Sequence, residues 1–188
     1  GFGLHYSVEP TPGRHTIGSG LYYEMFQLWK KVKGLPRLLP FQIYHKNRKY
    51  RASIDQAQQA AACSKYMNVI NGSGICMFGA FIGIKRTPTF DWLNAATGWN
   101  RTPEEYMEIG ERIQTLKQAF NIRHGIDPRA NKLSGRALGI PPQASGANKG
   151  RTVDIDKMMR DYWEQFGWNA DTGMPEGETL RRLGIEAR

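Results

Sequence analysis

A lone cysteine reached through a glycine-rich turn is the part of this sequence best suited to chemistry. Asn71-Gly72-Ser73-Gly74-Ile75-Cys76 interrupts an apolar helical stretch and delivers Cys76 onto an apolar shoulder, Met77-Phe78-Gly79. Glycine admits positive φ and close backbone approach, and a thiolate presented in this way is a soft-metal ligand. The same residues also read as a helix C-cap, with Gly72 at the left-handed position, Asn71 as a turn residue and Cys76 as a small buried hydrophobe. The second cysteine, Cys63, falls inside a predicted helix over 55–70 and reads as a packing residue. Two cysteines give no disulfide framework. Without a CxxC pair the chain cannot complete a four-cysteine cluster site alone. Among the histidines, His5, His45 and His124 lack the spacing of a metal site, and His124 beside Gly125 suits a helix C-terminus. His15 follows Gly13-Arg14 in a Gly/Pro-rich stretch and reads from its surroundings as a loop residue. Asp154 and Asp156 read as capping residues, and no Ser/His/Asp order, P-loop or GxGxxG is present.

The elements that must carry these residues are helical. Residues 1–19 form an irregular entry. A helix is predicted over 21–33 from Tyr22, Met25, Phe26 and Trp29, ended by Gly34 and Pro36. Ser53 caps a second helix to about residue 70. Its inward positions Ala57, Ala60, Ala61, Ser64, Met67 and Val69 imply close packing through small side chains. After the cysteine turn come a short buried helix over 77–84 and another over 90–97, capped by Thr89. Thr102-Pro103-Glu104-Glu105 combines a capping box with proline at the first helical position. The helix it opens should be the longest here and end near Gly125, burying Tyr106, Ile109, Ile113, Leu116 and Phe120. Prolines and glycines make 126–151 a long loop. Asp154 or Thr152 then opens a helix over 155–166 that points Ile155, Met158, Met159, Tyr162 and Phe166 inward, and a last short helix ends at Gly184. No alternating strand pattern appears. The fold class is mainly α, an irregular helical domain with long Gly/Pro-rich loops.

The chain of 188 residues is long enough for one domain with a core. Hydrophobic content of 40% and charged content of 23% argue against disorder, and no apolar run is long enough to span a bilayer. Net charge is +9. The basic residues gather in Lys30-Lys31-Val32-Lys33, Arg37 and His45-Lys46-Asn47-Arg48-Lys49, with Phe41, Tyr44 and Tyr50 among them. Basic plus aromatic residues are the footprint of a nucleic-acid surface, or of a surface facing acidic domains or phosphates. Against nucleic acid stand Glu104, Glu105, Glu108 and Glu111, which would share that surface. Reduced thiols fit a cytoplasmic setting. Gly1 begins in mid-pattern with no signal peptide, as expected of a piece of a longer protein.

The turn at 71–76, Asn-x-x-Gly-Ile-Cys, resembles the Asp-x-x-Gly-Leu-Cys pterin-binding motif of the tungsten-containing aldehyde:ferredoxin oxidoreductase family. The resemblance continues through Leu93-Asn94-Ala95-Ala96-Thr97-Gly98-Trp99, Thr102-Pro103-Glu104-Glu105, Gly110-Glu111-Arg112-Ile113, Phe120-Asn121-Ile122-Arg123-His124-Gly125, Tyr162-Trp163, Gly167-Trp168 and Gly184-Ile185. Upstream, Gly1-Phe2-Gly3-Leu4-His5-Tyr6 and Gly13-Arg14-His15 look like the stretch that opens the C-terminal region of these enzymes. Only about residues 30–50 look like an insertion, one that could remodel substrate access.

The resemblance implies that residues 1–188 are the C-terminal helical region of a larger multidomain enzyme. Such an enzyme oxidises aldehydes to carboxylic acids with a tungsten (or molybdenum) bis-pterin and passes electrons through a 4Fe–4S cluster to ferredoxin. Cys76 would be one of the cluster's four ligands, the others coming from N-terminal domains of the same protein. Asn71, Gly74 and Ile75 would line the pterin, with Asn71 accepting hydrogen bonds without the charge of the motif's Asp. His15 would lie by the metal and assist proton transfer. The isolated chain is expected to hold no cofactor and to be inactive, while a homodimer stays open. Two alternatives remain: a family member acting on aromatic acyl-CoA thioesters, and a basic helical module binding nucleic acid or protein.

Overall fold

The protein, a computed structural model, is described at residues 1–11, 13–18, 20–37, 48, 50–82 and 87–185, with the side chains of residues 15, 20, 81 and 82 left out. Its centre is the helix Ile54–Gly72, 19 residues long, capped by the Ser53 hydroxyl, which accepts from the Gln56 amide at 3.3 Å. From Ala57 to Ile70 this helix is enclosed on nearly every side, and all six of the small and apolar positions expected inward are buried. In chain order the helices are α1 (Phe2–Val8), α2 (Gly20–Phe26), α3 (Leu28–Lys31), the central α4 (Ile54–Gly72), α5 (Met77–Ile82), α6 (Thr89–Thr97), α7 (Pro103–Arg123), α8 (Gly135–Leu138), α9 (Ile155–Glu164) and α10 (Gly177–Arg182). Short 3₁₀ turns lie at His15–Ile17 and Pro128–Ala130. Among the described residues there is no strand, only two isolated bridges, Gln143 to Lys149 and Trp168 to Pro175.

Two apolar clusters flank α4. One gathers Ile17, Tyr22, Tyr23, Phe26, Leu28, Met67, Ile70, Phe90 and Tyr106 among others. The second joins Leu4 and Val8 of α1 and Ala60 and Ala61 of α4 to Met158, Met159, Tyr162, Trp163, Phe166 and Trp168. Small residues set the spacing. A Cβ on Gly110 of α7 would sit 2.0 Å from the Lys65 carbonyl oxygen, so α7 crosses α4 with its backbone against the other's.

The capping box at Thr102 and Glu105, the length of α7 and its end at His124–Gly125 are as expected. So are the Asp154 cap and the inward set of α9. Several expectations change. The entry expected to be irregular holds the helix Phe2–Val8, and the helix expected to be buried after the cysteine turn leaves Met77 partly buried and Phe78 exposed. The predicted 21–33 helix breaks at Gln27, which is left-handed at φ 49°. Residues two apart in a helix lie on opposite sides, so the break lets both Phe26 and Leu28 enter the core, 1% and 0% exposed. Thr89 does not cap α6. Its hydroxyl meets the Tyr66 hydroxyl inside the core at 2.9 Å, and Pro88 stands at the cap position. Asp156 pairs with Lys132 at 2.6 Å instead of capping α9. The largest change concerns α7, where Leu116 and Phe120 are 55% and 60% exposed. The buried face is polar instead: Tyr106, Met107, Gly110, Glu111, Gln114, Thr115 and Gln118. Glu111 thus lies inside, bound to Lys65 and Arg182, and is no part of an acidic surface.

Of the expected insertion, 38–47 and 49 lie outside the described residues, and with them most of the basic run at 45–49. Its beginning is tied down. Lys31 Nζ donates to the Thr87 carbonyl at 2.8 Å, the Lys33 amide to Glu104 at 2.7 Å, and the Tyr23 hydroxyl to the Pro36 carbonyl at 2.6 Å.

Candidate functional site at the end of the central helix

α4 ends in a Schellman motif. The Ile75 amide reaches back to the Ile70 carbonyl at 3.2 Å and the Gly74 amide to the Asn71 carbonyl at 3.3 Å. Gly74, at φ 75°, is the left-handed residue, and Gly72 remains helical, so the helix ends two residues later than the C-cap reading placed it. The Ser73 hydroxyl caps the Ile70 carbonyl at 2.9 Å. Ile75 packs back on the first apolar cluster, which pins the turn. The next residue, Cys76, is exposed, whereas Cys63 is buried. Packing therefore explains Cys63 and does not explain Cys76. The Cys76 carbonyl accepts from the Ala80 amide at 2.9 Å, so α5 starts directly behind the thiol.

Asn71 is exposed, and its side-chain amide makes no hydrogen bond among the described residues. A Cβ on Gly74 would meet nothing within 4 Å. An exposed amide, an open glycine backbone and an exposed thiol are thus presented together over six residues. An amide oxygen and a thiol are the donor types that a flat polar group and a soft metal call for. Among the described residues no group of three or more His, Cys, Asp or Glu side chains converges as a metal site, so Cys76 can be only one ligand of a set.

His15 opens the 3₁₀ turn His15–Ile17, and its side chain lies outside the described atoms. The turn is anchored by Ile17, fully buried, and by Gly18 at φ 145°. A Cβ on Gly18 would lie 2.5 Å from Cys63 Cβ and 3.3 Å from His5 Nε2. The turn thus docks on α4 beside Cys63, eight residues before Asn71, or about 12 Å along the helix axis. The His15 turn packs on α4 and the Cys76 turn follows its C-terminal end, with no contact between the two turns among the described residues.

Between α1, α4, α7 and α9 lies a buried polar network that hydrophobic patterning does not find. Gln114 of α7, 0% exposed, accepts from Asn68 Nδ2 at 2.7 Å and donates to Glu9 Oε2 at 3.1 Å and to the Tyr162 hydroxyl at 3.2 Å. Lys117 Nζ donates to Asn68 Oδ1 at 2.7 Å. The Tyr162 hydroxyl donates to Ser64 Oγ at 2.9 Å, and Ser64 meets His5 Nε2 at 3.3 Å. Burial pushes the Glu9 carboxyl up from the usual carboxylate range, opposed by Gln114, Lys117 and Arg14. Burial also pushes Lys117 down and the His5 imidazole down to about 4. His5, which has no metal-site spacing in the sequence, is a wholly enclosed link between α1 and α4.

Similarity to known proteins bears on this arrangement. Residues 1–185 match the family described as "Aldehyde ferredoxin oxidoreductase, domains 2 & 3". The chain is 30% identical to the tungsten-containing aldehyde ferredoxin oxidoreductase of Pyrococcus furiosus over 185 residues, 98% of this chain and 28% of the relative. It is 37% identical to the protein of that name from Pyrococcus abyssi over 118 residues, 63% of this chain and 19% of the relative. The chain therefore spans less than a third of the length of the curated relatives it matches. Among solved structures, the active-site complex of benzoyl-coenzyme A reductase with 1,5-dienoyl-CoA superposes with a TM-score of 0.57 over 98% of this chain and 30% of that one, at 18% identity.

Proposed function

The chain belongs to the aldehyde ferredoxin oxidoreductase family, matching its domains 2 and 3, and from that premise we propose that it forms part of a tungsten (or molybdenum) pterin, iron–sulfur oxidoreductase converting aldehydes to carboxylic acids. The observation that carries this reading is the exposed Cys76 thiol behind left-handed Gly74, in a chain whose family match runs from 1 to 185. Cys76 would supply one thiolate to a 4Fe–4S cluster, with the remaining ligands on other domains of the same protein. Asn71 would accept hydrogen bonds from the pterin through its free carbonyl oxygen, and the open backbone at Gly74 and Ile75 would lie against it. Held by Asn71, Gly74 and Ile75, with Cys76 at the cluster, such a group would supply two-electron redox chemistry for the conversion of an aldehyde and water to a carboxylic acid, two protons and two electrons, the electrons leaving for ferredoxin. His15 would take up one of those protons.

The likeness to benzoyl-coenzyme A reductase is one of fold and favours no substrate, so the aromatic acyl-CoA alternative gains nothing from it. The family assignment likewise leaves a nucleic-acid-binding or protein-binding module without support of its own. Neither cysteine is in a disulfide, and no helix among the described residues is long and apolar enough to cross a membrane.

The test is aldehyde-dependent reduction of ferredoxin by the full-length, tungsten-loaded polypeptide. Carboxylic acid formed in step with reduced ferredoxin is the expected result. A metal-loaded enzyme inert toward aliphatic and aromatic aldehydes would overturn the reading. In the same assay, His15→Asn should lower kcat at least about tenfold with metal and iron retained. Normal turnover across the pH range would remove His15 from the mechanism.

A further inference from the structure

We propose that Glu9, Gln114 and Asn68 act as positioning residues that hold the His15 loop and the Asn71–Cys76 turn in fixed relation; the catalytic side of this inference rests on the function proposed above. The loop leading to His15 starts at Glu9, and α7 grips it at two points. Gln114 Nε2 donates to Glu9 Oε2 at 3.1 Å, and the Asn121 side-chain amide to the Pro10 carbonyl at 2.5 Å. Arg14, one residue before His15, is close enough to Glu9 and Lys117 to act on both electrostatically. From the other side the same Gln114 amide accepts from Asn68, one turn of α4 before Asn71, at 2.7 Å. Asn68 is in turn fixed by the Ser64 carbonyl at 2.9 Å and by Lys117 at 2.7 Å.

Glu9, Asn68 and Gln114 are each 0% exposed. A buried side-chain amide with all its bonds made has one orientation and resists displacement, because any shift strands a polar group away from water. One primary amide therefore links the start of the His15 loop at Glu9 to α4 at Asn68. An apolar α7 face would pack α4 as tightly but would not register the loop. The Glu9 carboxyl is held by Gln114 together with the Thr11 backbone amide and the nearby Lys117 and Arg14 charges.

The experiment is hydrogen exchange on the full-length enzyme, followed by mass spectrometry of peptides spanning 10–18 and 70–77, together with kcat per bound tungsten. Gln114→Leu keeps volume and removes every bond. It should raise exchange at least about tenfold in both segments while the middle of α4 stays protected. Glu9→Leu should do the same, and it keeps the test open if Gln114→Leu does not fold. Glu9→Gln retains an acceptor toward Gln114 and should restore protection to both segments. In the two leucine variants kcat per tungsten should fall about tenfold or more through misplacement. If only one segment loosens, or neither does, the coupling is overturned. If both loosen while kcat per tungsten is unchanged, the coupling stands and the catalytic role of His15 fails.

Discussion

His5 carries its ring entirely out of solvent, between the Gly1 and Ala60 carbonyls and the Ser64 hydroxyl. Desolvation penalises the imidazolium and moves the pKa from the ordinary 6.5 to about 4 in the fold. The native state therefore binds fewer protons than the unfolded chain between those values. The stability this contributes is complete above pH 6.5 and is lost as pH falls toward 4. Glu9 works in the opposite sense. Its raised pKa favours the protonated carboxyl, so its contribution is present at low pH and declines as pH rises through its folded value. The two are separated by comparison with His5→Gln. Denaturant unfolding from pH 7 to 4 should cost the wild type about 3 kcal/mol more than it costs the variant. Parallel losses would mean that His5 is not held neutral by burial. Nothing in the local sequence marks His5 for this role. Its enclosure depends on Ala60 and Ser64, more than 50 positions along the chain.

Helix existence was legible where the signals are local, and not for Phe2–Val8, whose N-cap Gly1 makes no side-chain cap bond. A Ser53 cap, a Thr102–Glu105 box and an Asp154 cap each involve residues three apart. The inward face of α7 was not legible. Hydrophobic periodicity selected Leu116 and Phe120, whereas the fold buries Gln114, Thr115 and Gln118. A buried amide is tolerable only with partners, and those of Gln114 come from 105, 46 and 48 residues away. The Trp168 indole likewise donates to Thr115 Oγ1, and Gln118 to the Gly173 carbonyl. At the candidate site the glycine turn was legible in kind but misplaced by two residues. Gly72 and Gly74 are equally good candidates in sequence, and only the bond from Ile75 to Ile70 decides between them. At the α4–α7 crossing, Gly110→Ala would force a methyl group against the Lys65 carbonyl. It should destabilise the protein by about 1–3 kcal/mol or more, measured by thermal or denaturant unfolding. A neutral result would mean that the helices can separate at little cost.

Across the whole molecule, two cores flank one enclosed helix, and that helix ends in the only exposed cysteine. The surface keeps large apolar groups in view, including Phe78 next to the cysteine turn and Leu116 and Phe120 on α7. The chain supplies 19–28% of the length of its relatives, and Cys76 has no metal-binding company among the described residues. A cluster at Cys76 would need its other ligands from outside the described residues. Because Cys76 is exposed, replacing it by alanine should change stability by no more than about 0.5 kcal/mol, so loss of a cluster in the variant would not be a consequence of unfolding. The most direct measurement is iron content and the electron paramagnetic resonance spectrum of the reduced full-length enzyme carrying Cys76→Ala. The expected result is a lost or altered 4Fe–4S signal with electron delivery to ferredoxin broken and the fold intact. An unchanged cluster spectrum with full iron occupancy would contradict the assignment of Cys76 as a ligand.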